Sequence, residues 1–431
     1  MSKMLTAGIG KVKITPDINI KGSFRLHWDK KAKGIHDDLF AVAIFLSDTT
    51  NSIVLVSLDI PNITSMLSNA IKEDIYKKTG ILPKNILISC THTHNGPDIL
   101  DEEKVCDESI KSELRRKVVE CVIEAYNKSQ PAKIGFGECC IPFSKNRIYT
   151  SWSDNCFAFG PVDPICDILK IEDISGKVLG IFFHYSAHPT CAMRAEFKIS
   201  RDCVGVTVDK LEKKFGCISA FFQGAAGDVN FHLGERSFQH AIIKGNQMAD
   251  FIIPSVSSIE CRSEAVLNSD IQVLKVKTRT DYDFDIEEVI QEIDIKEKEF
   301  KNALSENRTD EEIFNIWNNL RVLKWKKLLY EENQKKPWTE VIVQSLRIGN
   351  TFIIGISGEI FVEYQLALRR YFFPCRALLF GYANGYNGYI PTKAAVSFGG
   401  YGTTPSYIQK VEPEAGEVML STGIKMIERM E

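Results

Sequence analysis

Short runs of apolar, β-branched residues alternate along the chain with stretches in which apolar residues recur every three or four positions. The short runs predict buried strands over 52–60, 85–90, 218–223, 340–349 and 351–357, and three further strands between 132 and 185. The second pattern predicts helices over 66–80, 107–129 and 206–216, the first of which ends at Gly80. Because strands and helices alternate, we expect an α/β fold with a mixed β-sheet core and flanking helices.

Residues 279–337 differ from the rest of the chain because they are rich in Asp, Glu, Lys and Asn. Apolar residues still recur there at helical spacing, with a break near 307–310. The residues that supply the packing face are Phe300, Leu304, Ile313, Trp317, Leu320 and Leu323. This face favours a helical hairpin over a solvated linker. We therefore predict a single domain over 1–431 with a helical insertion at about 279–337.

The charge balance changes the picture by excluding one class of partner. The 53 Lys and Arg residues against 56 Asp and Glu residues leave a net charge of −3, without the basic footprint of a nucleic-acid binder.

No apolar run reaches the roughly 18 residues of a membrane helix, so we expect no integral membrane segment. The 12 cysteines include no CxxC pair and suit a reducing, cytoplasmic location. Nothing in the pattern indicates an oligomeric state.

Five polar motifs each follow an apolar, strand-like run directly. They lie at 91–97 (THTHNGP), 184–190 (HYSAHPT), 223–230 (QGAAGDVN), 357–359 (SGE) and 382–389 (YANGYNGY). In open α/β sheets the ligand crevice lies beyond the carboxyl ends of the strands. The repeated placement therefore predicts that the five motifs form one site.

The histidines carry the clearest chemistry. His92 and His94 are two residues apart at a strand end, so their side chains point to the same face. Two such imidazoles either share a metal, divide metal binding and proton transfer between them, or make ordinary hydrogen bonds. His188 precedes Pro189, which favours an extended or turn conformation. His184 lies within its strand and is interpreted as a core histidine.

The other motif residues have two interpretations each. The glycine-rich segment 223–230 forms either a tight strand-to-helix turn or a cradle of N–H groups for an oxyanion beside Asp228. Glu359, at the start of an amphipathic stretch, either interacts with the helix dipole or belongs to the site. Asp202 either begins a helix or orients a histidine or substrate. The tyrosines of 382–389 also suit plain aromatic packing.

Taken together, these motifs resemble the neutral/alkaline (non-lysosomal) ceramidase family. THTHNGP resembles the family's HTHSGP block, HYSAHPT its FxxHPT block, QGAAGDVN its NGAAGDVSP block, SGE its PGE block, and YANGYNGYIPT the loop with the last metal ligand. The segments AGIGKVKITP and GIHDDLFAVAIFL also resemble family blocks. The order is preserved over almost the whole chain. The chain resembles the shorter bacterial members, which lack the C-terminal sandwich domain.

The resemblance implies one zinc ion, with ligands His92, His188, Glu359 and Tyr389. It also implies that His94 contacts substrate beside the zinc and that Arg147, after Asn146, holds the polar group of the substrate. Zinc in such a site polarises an amide carbonyl and lowers the pKa of a water molecule to about 7. We expect His94 to transfer a proton and Arg147 to stabilise the developing oxyanion.

The chain departs from the family at one position. Ceramidases have a serine after GDV, often assigned a nucleophilic role, whereas this chain has Asn230. Because an amide cannot be that nucleophile, we expect direct attack by zinc-activated water, with Asn230 donating a hydrogen bond to the oxyanion. The predicted catalytic residues are therefore His94, Arg147, Asp228 and Asn230.

We therefore expect a cytoplasmic, zinc-dependent hydrolase acting on a small-molecule linear amide (N-acyl) substrate, either ceramide or a small soluble compound. The alternatives are a metal-dependent esterase, deacetylase or phosphoesterase, or a degenerate member that binds a ligand without turnover. A second metal near His36, Asp37 and Asp59 is a further hypothesis. Its alternative is a turn before the strand that follows Asp38.

Overall fold

The computed structural model describes residues 4–102, 104–148, 160–231 and 235–430. Within these ranges the helices are α1 (Ser65–Thr79), α2 (Glu108–Asn127), α3 (Asp202–Phe215), α4 (Phe238–Ser257), α5 (Ile286–Ser305), α6 (Asp310–Lys335), α7 (Val362–Phe372), α8 (Lys393–Phe398) and α9 (Ala415–Glu428). The longer strands are β1 (Thr6–Lys13), β3 (Phe40–Ser47), β4 (Ser52–Leu58), β5 (Ile86–Cys90), β6 (Gln130–Cys140), β8 (Ile165–Asp173), β9 (Val178–Tyr185), β11 (Ile218–Gln223), β13 (Leu267–Lys277), β14 (Trp338–Ile348), β15 (Thr351–Ile356) and β17 (Arg376–Phe380). The two-residue strands are β2 (Gly34–Ile35), β7 (Lys145–Asn146), β10 (Lys198–Ile199), β12 (Val229–Asn230), β16 (Glu359–Ile360) and β18 (Tyr389–Ile390).

Two mixed sheets form the core. The larger has the strand order β11-β9-β8-β6-β1-β3-β4-β5, and the smaller has the order β13-β14-β15-β17. Three neighbouring pairs are parallel: β4 with β5, β9 with β11, and β15 with β17. The other neighbours are antiparallel. The predicted α/β fold with a mixed sheet is confirmed.

The sheets and helices stack in four layers. Helices α1 to α4 cover the outer face of the larger sheet, and α7 and α9 cover the outer face of the smaller sheet. An apolar layer with residues from both sheets, among them Leu55, Phe182, Leu346 and Phe380, lies between them. Strands with two covered faces bury both sets of alternating side chains. This explains why the predicted strands appear as continuous apolar runs.

Strand β1 approaches helix α2 so closely that only glycine fits. A Cβ on Gly8 would lie 2.0 Å from the carbonyl oxygen of Ala125, and one on Gly10 would lie 2.1 Å from that of Cys121. The helix backbone therefore rests directly on the strand.

The predicted helical hairpin is present as α5 and α6, which connect β13 to β14. Thr309 begins α6 with a capping box in which its side chain and that of Glu312 satisfy each other's backbone N–H groups. The hairpin packs against the segment after β1 through contacts with Trp28 and an ion pair between Lys33 and Asp310. This packing places one side of α6 beside the site described below.

Two elements differ from the sequence prediction. Helix α4 is not among the predicted helices, although its buried residues pack on α3. Helix α3 begins at Asp202, four residues before the predicted start. Its N-cap residue is Arg201, which makes no side-chain capping hydrogen bond, and the Asp202 carboxylate accepts from the Cys203 N–H in the first turn. No helix in the described ranges is long and apolar enough to cross a membrane.

Candidate metal centre and active site

The carboxyl ends of the three parallel strand pairs meet at one edge of the molecule. Backbone hydrogen bonds join these ends across the two sheets: Gly381 donates to Gln223 (3.1 Å), Tyr382 to Gly358 (3.0 Å) and Cys90 to Tyr382 (3.3 Å). The segments that follow these strands are therefore neighbours. The structure confirms that the five polar motifs come together.

Three predicted ligands surround one point. The Glu359 Oε2 atom lies 3.1 Å from His188 Nε2 and 3.6 Å from His92 Nε2. All three side chains are buried. Two imidazole nitrogens and a carboxylate oxygen at this spacing are a donor set that zinc accepts.

The other ring nitrogen of each histidine is held by a backbone carbonyl. His92 Nδ1 lies 2.5 Å from the Pro61 oxygen, and His188 Nδ1 lies 2.6 Å from the Ala226 oxygen. A carbonyl accepts only from N–H, so both rings carry their proton on Nδ1 and present a bare Nε2 to the cluster. This is the tautomer that metal coordination through Nε2 requires.

Burial also sets the protonation states that a metal needs. Burial lowers the pKa of His92 to about 3 and lowers the pKa of His188, so both rings are neutral at pH 7. Burial opposes ionisation of Glu359, yet its interactions with His92 and His188 outweigh that effect and lower its pKa. Neutral imidazoles and an ionised carboxylate match the requirement for metal ligands.

Three tyrosines approach the carboxylate side of the cluster. Tyr382 donates to Glu359 Oε2 at 3.2 Å, and Tyr386 donates to Glu359 Oε1. Tyr389, the predicted fourth ligand, is paired with Glu359 in the parallel ladder of β16 and β18. Its hydroxyl lies 3.3 Å from Arg147 Nη2 and 3.1 Å from the Tyr401 hydroxyl. Tyr382 also contacts both histidines, because its ring stacks on His92 and its hydroxyl lies 3.3 Å from His188 Nε2.

His94 is the third histidine of the cluster. Its Nε2 lies 3.2 Å from His92 Nε2, and the ligand atoms of His92, His94 and His188 all lie within 4.8 Å of one another. Burial lowers the pKa of His94. Its Nδ1 is buried without a hydrogen-bond partner among the described residues, so this ring is less constrained than the other two.

Arg147 brings a positive charge to the same point. Its Nη2 donates to the Gly227 carbonyl at 2.9 Å and lies 3.1 Å from His188 Nε2. The guanidinium also lies over the Tyr401 ring, 4.2 Å from the centroid. This arrangement places a fixed donor beside the predicted metal ligands.

Asp228 and Asn230 lie behind the ligands. The Asp228 carboxylate accepts from Asn146 Nδ2 (2.7 Å) and from the Val362 N–H (2.9 Å), and burial raises its pKa to about 6. Asn230 forms a backbone bridge with His188, and its buried amide has no hydrogen-bond partner within the described part of the chain. Asp228 therefore supports the loops, while the Asn230 amide has unused hydrogen-bonding capacity.

The glycine-rich turn favours one of its two interpretations. Gly224 donates its N–H to Tyr185, and Gly227 donates its N–H to Ile360, so both groups are already used. A Cβ on Gly227 would lie 2.4 Å from the Glu359 carbonyl oxygen. The glycines thus allow two strand ends to approach closely, and these two N–H groups do not form an oxyanion cradle.

The residues of the hypothetical second metal site lie elsewhere. Asp37 accepts from the Arg201 backbone and Nε and from Ser200 Oγ, while His36 stacks on Phe238. Asp59 accepts from the Phe40 N–H, and burial raises its pKa to about 6. The Arg201 guanidinium thus takes the place beside Asp37 that a second metal cation would need.

The two remaining candidates have structural partners. The Asp202 carboxylate accepts from the backbone N–H groups of Cys191 and Ala192, which fixes the loop after His188. His184 Nε2 lies 3.1 Å from the Leu379 carbonyl, as expected for a core histidine.

A cavity of about 520 Å³ opens onto the cluster. Its floor includes His92, His94, Glu359 and Tyr389, and one wall is formed by helix α6. The size suits a drug-sized molecule. The arrangement can thus hold a small molecule against a metal, a neutral histidine and an arginine.

Comparison with known proteins agrees with this geometry. The family model for the N-terminal domain of neutral/alkaline non-lysosomal ceramidases matches residues 6–241. The chain belongs to this ceramidase family.

Two solved structures share the fold. One is a ceramidase complexed with C2, with a TM-score of 0.77 and 18% identity; the match covers 99% of this chain and 76% of that chain. The other is a neutral ceramidase from Pseudomonas aeruginosa, with a TM-score of 0.74 and 17% identity, covering 100% of this chain and 75% of its own. The ceramidase fold thus extends over the whole of this chain, including the part after residue 241.

Sequence reasoning missed several residues of this ceramidase-like site. Tyr382 is the first residue of one of the five polar motifs. Its hydroxyl contacts Glu359 from a left-handed backbone conformation (φ 52°), which the sequence pattern does not reveal. Tyr401 and the arginines of the cavity wall lie in loops or on helix α6, where no strand-end rule applies. The Gly-rich surroundings of Tyr401 were the available signal.

Proposed function

We propose that this ceramidase-family protein is a zinc-dependent hydrolase that cleaves a linear amide bond. The observation that supports this most is the convergence of His92, His188 and Glu359 with both Nε2 atoms unprotonated. These three residues and Tyr389 would hold the zinc. When bound, zinc supplies a Lewis acid for the amide carbonyl and for a water molecule.

The protein residues around that point divide the remaining work. His94 is neutral, lies 3.2 Å from a ligand nitrogen and faces the cavity, so it is placed to accept and return a proton. Arg147 is placed to stabilise the carbonyl oxygen as it gains negative charge. Its contacts with Gly227 and Tyr401 fix its position before substrate arrives.

Asn230 has no hydroxyl, so the proposal contains no acyl-enzyme at this position. Its buried amide has no hydrogen-bond partner among the described residues, and Asn230 itself is not part of the cavity lining. Asp228 acts on the site only through the loops that its carboxylate holds.

The metal is tested by mass spectrometry of the purified protein. We expect one zinc per chain in the wild type and in His36→Ala, and none in His92→Ala. His36 serves as the matched control because it lies outside the cluster, and loss of metal in His36→Ala would indicate the second site instead. Wild-type protein that stays metal-free after zinc is supplied would contradict the proposal.

The reaction is tested with compounds that share one acyl chain and differ in the bond. The proposal expects zinc-loaded protein to cleave the amide, with chelation abolishing turnover and zinc restoring it. Faster cleavage of the ester or of a phosphate ester would favour the alternative reaction classes. Metal binding without turnover of any of them would favour a ligand-binding member.

We also propose a reducing compartment such as the cytoplasm. Eleven cysteines of the described part are free, and Cys139 faces Cys166 across two strands without forming a disulfide. A thiol count on protein purified without reductant tests this proposal: intact free thiols are expected, and quantitative disulfides would contradict it.

A further inference from the structure

The Tyr382 hydroxyl lies among the predicted ligand atoms. It is 3.2 Å from Glu359 Oε2 and 3.3 Å from His188 Nε2. Glu359 Oε2 is in turn 3.1 Å from His188 Nε2 and 3.6 Å from His92 Nε2. Ligand atoms that lie about 2.0 to 2.2 Å from one tetrahedral zinc are about 3.3 to 3.6 Å from each other. The four distances match this spacing to within about 0.2 Å, so the phenol oxygen is placed as a further donor.

The proton inventory around this oxygen indicates a shared cation. His188 keeps its proton on Nδ1, which lies 2.6 Å from the Ala226 carbonyl, so its Nε2 offers a lone pair. The Tyr382 hydroxyl has a single proton, and Glu359 Oε2 accepts it. The phenol oxygen and His188 Nε2 therefore face each other at 3.3 Å without a proton from Tyr382 between them. Two lone-pair donors at this distance have the arrangement of two ligands of one metal ion.

The fold fixes Tyr382 in this position. Its side chain is fully buried, and its ring stacks on the His92 imidazole with the centroids 4.0 Å apart. Its N–H donates to the Gly358 carbonyl at 3.0 Å, and its carbonyl accepts from the Cys90 N–H at 3.3 Å. The backbone is left-handed there (φ 52°), which is unfavourable for a tyrosine and persists only where the surrounding contacts impose it. Residues held in this way cluster at active sites and ligand clamps.

The two neighbouring tyrosines have different contacts. Tyr386 donates to Oε1 of Glu359, the other oxygen of the carboxylate. The Tyr389 hydroxyl bonds to an arginine and to the Tyr401 hydroxyl, and among the described residues it makes no hydrogen bond to Glu359 or to a histidine. In the described part of the chain, Tyr382 is thus the tyrosine of the three whose hydroxyl contacts both a carboxylate oxygen and an imidazole nitrogen of the predicted donor set.

We propose that Tyr382 is an additional metal ligand, and that its phenol oxygen binds the ion beside Glu359 and His188. This inference rests on the proposed metal centre and adds one residue to the four ligands that the ceramidase resemblance implies. Because Tyr382 is buried and held by backbone hydrogen bonds, it presents its oxygen without rearrangement, which favours tight metal binding.

Copper(II) is the spectroscopic probe for this proposal. It binds nitrogen and oxygen donors more strongly than zinc does, and a bound tyrosine oxygen gives it a visible charge-transfer band. The exposed cysteines, Cys140 and Cys375, are alkylated first because thiols also bind copper. We expect copper-loaded wild type to show the band and Tyr382→Phe to lose a large part of it. An undiminished band in Tyr382→Phe would overturn the proposal.

Zinc affinity gives a second measurement. Tyr382→Phe should raise the Kd for zinc about a hundredfold or more, whereas Tyr386→Phe, which loses only a hydrogen bond to the carboxylate, should raise it about tenfold. Tyr126→Phe, an exposed tyrosine on α2, is the remote control and should change neither the affinity nor the band. Equal losses of affinity in Tyr382→Phe and Tyr386→Phe, with the band intact, would make Tyr382 a hydrogen-bond partner of Glu359 and reject direct binding.

A double variant keeps the inference testable if Tyr382→Phe does not fold. Tyr386→Phe combined with Tyr389→Phe leaves Tyr382 as the remaining phenol of the three, and the copper band should persist. Complete loss of the band in the folded double variant, checked by circular dichroism, would show that Tyr382 does not bind the ion.

Neither measurement uses a substrate, so this inference and the proposed hydrolase can fail separately. A band that depends on Tyr382, without turnover of any amide, would support the ligand assignment and reject the hydrolase. An active zinc hydrolase whose copper band and zinc affinity are unchanged in Tyr382→Phe would do the reverse. Wild-type protein that binds neither ion would reject the metal centre and this inference with it.

Discussion

Lys72, on helix α1, is a charged residue in the core. The side chain is almost completely buried, and its Nζ has no hydrogen-bond partner in the described part of the chain. Burial lowers the pKa of Lys72 from its ordinary value of 10.5 to about 7. Folding therefore destabilises the charged form of this lysine relative to the unfolded chain.

We predict that Lys72→Met raises the free energy of unfolding, and more so at pH 7 than at pH 9.5. Between pH 7 and 10.5 the unfolded chain binds the Lys72 proton and the folded chain releases it, so wild-type stability rises with pH. The slope of this dependence approaches about 1.4 kcal/mol per pH unit. The ionisation cost is about 4 kcal/mol at pH 7 and about 1 kcal/mol at pH 9.5. Methionine keeps the shape of the side chain and carries no such cost.

Urea unfolding of both proteins at the two pH values measures this difference. The stability gained by Lys72→Met should shrink by about 3 kcal/mol between pH 7 and pH 9.5. Lys78→Met, an exposed lysine in the last turn of the same helix, is the control and should give a small, pH-independent change. A gain for Lys72→Met that does not vary with pH would refute the reasoning.

Three further predictions concern the site and the core. Glu359→Gln should abolish zinc binding and activity while the circular dichroism spectrum is retained, because the amide supplies no charge to the metal; wild-type zinc content in this variant would count against the ligand assignment. Asn230→Ser should leave stability within about 1 kcal/mol in urea unfolding and retain amide cleavage, and a large gain in ceramide cleavage would restore a role for a serine nucleophile. Gly8→Ala should cost more than about 2 kcal/mol in the same assay, since its Cβ would collide with the Ala125 carbonyl, whereas Gly34→Ala, with its nearest contact at 3.4 Å, should cost clearly less.

The elements of the fold were predictable where burial leaves a local pattern. Strand β11 has the predicted bounds, and α1 is shifted by one residue, because strand apolar runs and a glycine helix stop can be recognised without knowing the neighbours. The break at 307–310 was also visible, because Thr309 and Glu312 form a capping box within four residues of sequence. Helix α4 was missed, although it buries its apolar face against α3.

The sequence by itself determined that His92, His188, Glu359 and Tyr389 follow strand ends, and parallel pairing of those strands was enough to bring them together. It did not determine which charges surround them. Arg25, Arg194 and Arg321 are separated by well over a hundred residues each, and they meet only because α6 packs over the loops of the larger sheet. Hydrophobic periodicity reports whether a residue is buried, but not which loops become neighbours. Which side chains line the cavity was therefore decided by tertiary packing.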